Sequence, residues 1–295
     1  IGMDRYPGYG RNIYSDQKVF ISGMEIAGVQ AVDGTYNLPI EPIRSLGQEG
    51  AIINEDPGVT TLEANFTVDR LVVTNEDPLT GFFVDDIVGI SGHLKYDENN
   101  AFAFDRGFID SYTSSCSINQ IPTLDFAITV YGGNIGAAGV PAAPEVPKDN
   151  PLYVARPGDI SLNVSGQACN RVQSYSYDIS IGRIPLETIG DDWSPQGFIV
   201  EYPIPVNVSF ELEVDSYKSK KFLEFICEPH RQDLEIILND CNNTCGLGSG
   251  IRTFRAPHAR LISYNQVGSI EQALTATLEY RSYITNITGI KDLIK

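Results

Sequence analysis

The sequence predicts a mainly β chain of two tandem units, each a β-sandwich or half-barrel with at most one flanking helix and one long loop. Three observations predict it. Two sequence echoes recur in the same order, apolar residues alternate with polar ones in short runs, and a Gly/Ala/Pro-rich stretch separates the copies. In the first echo, Ser111-Tyr112 followed by Ser117-Ile118, Gln120 and Thr123 is answered by Ser263-Tyr264, Ser269-Ile270, Gln272 and Thr275. The offset is 152 residues (263 − 111), with no gap. In the second echo, Tyr36-Asn37-Leu38-Pro39-Ile40 is answered by Tyr177-Asp178-Ile179-Ser180-Ile181.

The units are placed at 1–131, with an N-terminal arm over 1–17, and at 158–295. The linker is 132–157, whose composition predicts a partly extended connector and not a packed element. Within the units the period is two. Leu62, Ala64, Phe66 and Val68 alternate with polar residues, as do Val206, Val208, Phe210, Leu212 and Val214, which is the pattern of a half-buried strand. Further strands are expected at 18–26, 86–96, 102–113, 124–131, 159–164, 174–184, 234–238, 260–264 and 273–283. Turns are expected at Asp33-Gly34, Asp56-Pro57-Gly58, Asp77-Pro78, Ser194-Pro195 and 246–250. One helix is expected at 216–227, capped by Asp215 and stopped by Glu228-Pro229. Its counterpart in the first unit reads as a loop, or as a helix hidden around 82–88.

Composition is that of an ordinary globular chain of 295 residues, with 42% hydrophobic and 20% charged residues. Its net charge of −17 is uneven, −13 over 1–150 and −4 over 151–295. A basic nucleic-acid footprint is therefore lacking. The acidity serves solubility, or a surface that repels polyanions where nucleic acid must pass. No apolar run is long enough to cross a bilayer, and the polar, Gly/Tyr-rich start is not expected to be a signal peptide. Five cysteines, Cys116, Cys169, Cys227, Cys241 and Cys245, are an odd number and fit free thiols in a reducing cytoplasm.

No catalytic, cofactor-binding or metal residue is assigned. Of the three histidines, His93, His230 and His258, His93 sits in a strand pattern and reads as a structural hydrogen-bonder. Cys227, His230, Cys241 and Cys245 have a loose spacing for zinc, with Cys227 filling space on a helix face and a Cys241–Cys245 bridge as the other reading. Asp85-Asp86, Asp97-Glu98-Asn99-Asn100 and Asp191-Asp192 lack the regular spacing of a calcium loop and suit surface turns. There is no P-loop, nucleophile elbow or His-Glu-x-x-His, so a structural protein is expected, not an enzyme.

The segment from Phe108 to Ile128, with Ser111-Tyr112, Ser117-Ile118 and Pro122-Thr123, resembles a stretch of bacteriophage tail tube (major tail) proteins. The second copy, from Leu261 to Tyr280, keeps Ser-Tyr and Ser-Ile and departs at Leu274, opposite Pro122. The resemblance implies packed antiparallel sheets, rings whose inner sheets line a channel, and rings stacked into a tube in the virion tail, assembled in the host cytoplasm. Two tube-like domains in one chain imply a trimer acting as a pseudo-hexamer. The implied partners are other copies of the chain and other tail proteins (sheath or terminator, tape measure, baseplate), with DNA passing unbound, and neither membrane nor cofactor. The long loops at 37–61 and 180–205 are expected to reach the neighbouring ring, or to form wide hairpins on their own domain. The alternatives are a distal tail or baseplate ring protein of the same fold and a carbohydrate-binding β-sandwich.

Overall fold

The computed structural model describes residues 17–37, 41–44, 47, 52–56, 61–73, 77–83, 88–96, 99–132, 135–139, 154–169, 171–190, 194–213, 231–239, 250–268 and 274–295. The chain is mainly β and antiparallel, as expected. The first half supplies β1 (Lys18–Ile21), β2 (Met24–Glu25), β3 (Val29–Asn37), β4 (Glu41–Arg44), β5 (Ile52–Asp56), β6 (Glu63–Leu71), β7 (Ile90–Lys95), β8 (Asn100–Ser117), β9 (Thr123–Tyr131) and β10 (Ile135–Gly139). The second supplies β11 (Ile160–Val164), β12 (Gln167–Cys169), β13 (Val172–Ser180), β14 (Arg183–Leu186), β15 (Gly197–Val200), β16 (Ile204–Glu213), β17 (Gln232–Asn239), β18 (Gly250–Val267) and β19 (Thr275–Ile284). A short helix, α1 (Ile290–Leu293), follows.

Every pairing among β1 to β9 recurs among β11 to β19. The pairs β1·β2, β1·β7, β7·β8, β8·β9, β6·β9, β3·β6 and β4·β5 are answered by β11·β12, β11·β17, β17·β18, β18·β19, β16·β19, β13·β16 and β14·β15. Even the register breaks repeat. The break between Ile109 and Ser111, just before the first Ser-Tyr, returns between Leu261 and Ser263, just before the second. The break between Val29 and Ala31 returns between Val172 and Ser174. That match makes Ile179 the counterpart of Tyr36, and Tyr177 the counterpart of Gly34, a slip of one strand repeat from the sequence echo.

Each half is two layers sharing one long strand. The first part of β8 pairs with β7 in an outer sheet with β1 and β2, and its second part pairs with β9 in an inner sheet with β6 and β3. The bulge bends the strand between layers, as bulges do. Phe66 of the inner sheet stacks on Phe104 of the outer sheet at 5.2 Å between ring centroids. In the second half Tyr177 meets Phe254 at 5.1 Å across the same gap. The halves are fused where β8 pairs with β13, from Ser111↔Ser180 to Ser117↔Ser174. The inner sheets thus become one eight-stranded sheet, β3-β6-β9-β8-β13-β16-β19-β18, over a continuous core.

Asp33-Gly34 is not a turn but lies inside β3, opposite Thr67 and Phe66. Glycine is needed because a Cβ there would sit 2.6 Å from the Phe66 ring. The expected strand 18–26 is broken by a turn at Ser22 and Gly23, both at positive φ. The linker is not wholly an unpacked connector: β10 pairs with the first part of β8, Val154 bridges Val73, and Ala155 is buried. Small side chains let that backbone satisfy an otherwise open edge. At the other end Ile294 bridges Phe254 of β18, so the C-terminal tail plays the part of β10. In place of a first-unit helix stands a 3-10 turn, Pro78–Phe82, capped by Asp77. The expected helix at 216–227 lies outside the described residues.

Beneath the seam lies a buried polar cluster. Arg70 is ion-paired to Asp77, Tyr112 donates to the same carboxylate at 2.7 Å, and the Leu79 N–H donates to its other oxygen at 3.0 Å. Burial, then the Asp77 charge, push the Tyr112 hydroxyl far above the usual tyrosine range. Removing one member of a buried pair leaves an uncompensated charge, worth about 3–5 kcal/mol, whereas a lost hydrogen bond to a charged group is worth about 1.5–3 kcal/mol. Denaturant unfolding should therefore show Asp77→Ala costing more than Tyr112→Phe, with Arg70→Met/Asp77→Leu milder than Asp77→Ala.

Candidate functional site: a polar sheet face and two open edges

The eight-stranded inner sheet buries one face and leaves the other polar, because side chains alternate along each strand. On β13 the buried positions are Tyr175, Tyr177 and Ile179, and the other face carries Ser174, Ser176 and Asp178. On β16, Val206, Val208 and Phe210 are buried while Asn207, Ser209 and Glu211 face out. The pattern continues on β19 with Thr277, Glu279 and Arg281, on β8 with Thr113 and Ser115, on β9 with Thr123 and Asp125, and on β6 with Asn65, Thr67 and Asp69. The face is made of small hydroxyls, amides and carboxylates. Its described strand positions hold two guanidiniums, Arg260 and Arg281, which are ladder partners at one end.

A hydrogen-bonded row crosses this face and the seam together. The Thr113 hydroxyl donates to Asp178 at 2.7 Å, the Asn207 amide donates to Asp178 at 3.5 Å, and Arg281 Nε donates to Asn207 Oδ1 at 2.8 Å. Continuing the row the other way, Asp125 and Asp69 are directly opposed partners. Asp125 has its carboxyl pushed above the ordinary 3.8, first by burial and then by Asp69.

The hairpin β14–β15 closes one end of the face. Phe198 packs on Phe108 and Tyr131, with ring centroids 4.5 and 4.8 Å away. Arg183, 2% exposed, donates to Ile109 O at 2.6 Å and to Asp110 at 3.0 Å. Burial raises the Asp110 carboxyl even so. The loop at 180–205 is thus a hairpin of the second half laid across the first half. Its other side presents Ile184 and Ile199, which are opposed partners, with Leu186, all exposed.

The sheet ends in two edges. Among the described residues β3 pairs only with β6, and the second part of β18 has β19 on one side and no strand on the other. Their core-side positions are exposed where the seam counterparts are buried. Tyr36 and Tyr264 are each 38% exposed, against 0% for Ile179 and Tyr112.

The described histidines and cysteines are scattered. His93 lies in β7 opposite Phe20 and Ala103, and its buried Nδ1 has no hydrogen-bond partner among the described residues, so the expected structural hydrogen bond is not made at that atom. His258 sits at a positive φ in a β18 bulge, its N–H donating to Asp233 at 2.8 Å. Cys116 is buried and Cys169 half-buried, and burial raises both thiols. Cys227, His230, Cys241, Cys245, Asp85, Asp86, Asp97, Glu98, Asp191 and Asp192 lie outside the described residues. Among the described residues no three His, Cys, Asp or Glu side chains gather as for a metal ion. The polar row escaped sequence reading, although the alternation of β13, β16 and β19 already held its members. No protein-family model matches the chain, and no curated protein matches it.

The Asp69–Asp125 pair carries a pH signature. A carboxyl raised in the folded state binds its proton more tightly there. Its contribution is therefore most favourable at low pH and is lost as pH rises from 3.8 through the raised value. Asp125→Asn should stabilise the protein at neutral pH by roughly 0.5 kcal/mol, because opposed like charges destabilise a cross-strand pair and surface screening limits the gain. Thermal unfolding at pH 7 and pH 3 measures it, and the gain should vanish at pH 3.

Proposed function

We propose that this chain is a virion structural protein, a tail tube subunit whose rings stack around a DNA-conducting channel. The observation that carries the reading is the β8–β13 seam, which joins two equivalent halves edge to edge and leaves a β3 edge and a β18 edge of the same two kinds. Such an interface is heterologous, so it continues from chain to chain and closes into a ring when the rotation allows. Three two-unit chains make the six-unit ring that the resemblance implies.

The polar face suits the wall of such a channel. Its hydroxyls and carboxylates give DNA no basic footprint, and carboxylates repel the phosphate backbone. Asp33, Asp69, Asp125, Asp178, Glu211 and Glu279 are on strands of this face, against Arg260 and Arg281. Self-association and contact with other tail proteins account for the exposed hairpin apolar side; DNA passes without specific binding, and no enzymatic step is assigned.

Native mass spectrometry with rotational averaging of negatively stained particles tests the proposal. Closed rings with the mass of three chains are expected, and a stable monomer or a ring of six full chains would overturn it. Stacking is tested separately. Ile184→Ser/Ile199→Ser keeps the Phe198 and Arg183 contacts and should yield rings that fail to stack into tubes.

A further inference from the structure

Beside β3 lies a groove of about 720 Å³ between the two layers of the first half, walled by Val19, Val32, Gly34, Tyr36, Phe66 and Phe102. In the second half the corresponding space is filled. Tyr177 stands where Gly34 stands, and its ring packs on Phe254, the counterpart of Phe102. The first half instead draws its aromatic from one strand further in. Phe66 covers Gly34, whereas Val208 lies opposite Tyr177. The volume has moved away from the edge, and the edge is left hollow.

The internal seam says what faces that hollow. At the seam β13 presents Tyr175, Tyr177 and Ile179 to Cys116, Ser114 and Tyr112 of β8. The repeated register breaks carry this register over to the two terminal strands, where Gly34 falls opposite Gln266, Thr35 opposite Asn265 and Tyr36 opposite Tyr264. The chemistry is then reversed in size: a large residue on β13 meets small Ser114, while glycine on β3 meets the longer Gln266. Two edges that each keep aromatic residues at core-side positions cover one another's exposed apolar surface when paired.

We infer that the occupant of this groove is the β18 edge of a second copy of the chain, paired antiparallel to β3 in the register Tyr36↔Tyr264 and Gly34↔Gln266. The inference rests on the ring reading but adds to it a fixed register and a partner strand. Because β8 and β13 already pair within the chain, β3 of one copy meets β18 of the next, and first and second units alternate around the ring. A one-residue slip would turn Tyr264 to the polar face, and a two-residue slip would set Gln266 against Tyr36.

Paired cysteines test the register in the full chain. Tyr36→Cys/Tyr264→Cys should give oxidation-dependent covalent dimers and trimers on denaturing gels, above the background of the parent chain and its five cysteines. Tyr36→Cys/Gln266→Cys, which pairs Tyr36 with the core-side position two residues away, should cross-link at least 10-fold less. Equal or reversed cross-linking in particles that still close would overturn the register while leaving the ring intact. Absence of any oligomer would overturn both. A charge exchange reads the same contact without disulfides, since all its positions are exposed in the single chain. Tyr36→Glu/Tyr264→Glu should abolish assembly and Tyr36→Glu/Tyr264→Lys should restore it. Assembly unaffected by the paired glutamates would overturn the register.

Discussion

The fold turns on one antiparallel contact, the pairing of the second part of β8 with β13. A strand edge is a row of unpaired N–H and C=O groups that must be paired, covered or blunted. Here an edge of each half is consumed by the other, and two four-stranded inner sheets become one of eight strands. Everything around the seam serves to hold it. Tyr112 on β8 is fully buried and anchored to Asp77, which also ties Arg70 and caps the 3-10 turn at Pro78–Phe82. α1 from the C-terminus packs against that turn and against β18, so the last residues of the second half brace the first. On the polar side, Thr113 and Asp178 join the halves again through a side-chain bond.

Duplication explains the architecture, and divergence explains its asymmetry. Pairings and bulges repeat, because a bulge that bends a strand between layers cannot be lost without losing the sandwich. Side chains were freer to change. Exchanging Tyr177 with Val208 for Gly34 with Phe66 conserves a ring between the layers while altering which strand supplies it. The hairpin β14–β15 closes over the first half with an aromatic cluster and the Arg183–Asp110 pair. The equivalent surface of the second half leaves Ile262 and Tyr283 exposed.

How much was legible follows from the physics of each segment. Strands β6, β9, β16 and β19 each have one buried and one polar face, so period-two alternation exposed them within a few residues. β3 was hidden because Asp33-Gly34 has the composition of a turn, and only the Phe66 ring lying on Gly34 explains a glycine there. β10 was hidden in Gly and Ala, whose side chains report no face; its strand geometry comes from the β8 edge that it satisfies. β18 is legible from alternation only over 260–264, because Pro257 and His258 resemble a break, yet they form a bulge within a continuing strand. Of the candidate site, the members of the polar row were visible as alternating hydrophilic residues. Their alignment was not, because it is set by registers between strands far apart in the chain.

By itself the sequence determined that this protein is a doubled, mainly β chain with an acidic surface, since those properties follow from local alternation, self-similarity and composition. Tertiary structure alone decided that the two halves share one sheet, that its hydroxyls and carboxylates occupy a single face, and that Tyr36 and Tyr264 stand on its two terminal strands. Those outcomes depend on strand order and register, which are settled by which edges meet and which side chains can be buried together. A period of two says that a strand has two faces; only the neighbouring strand decides which face becomes core and which remains a wall.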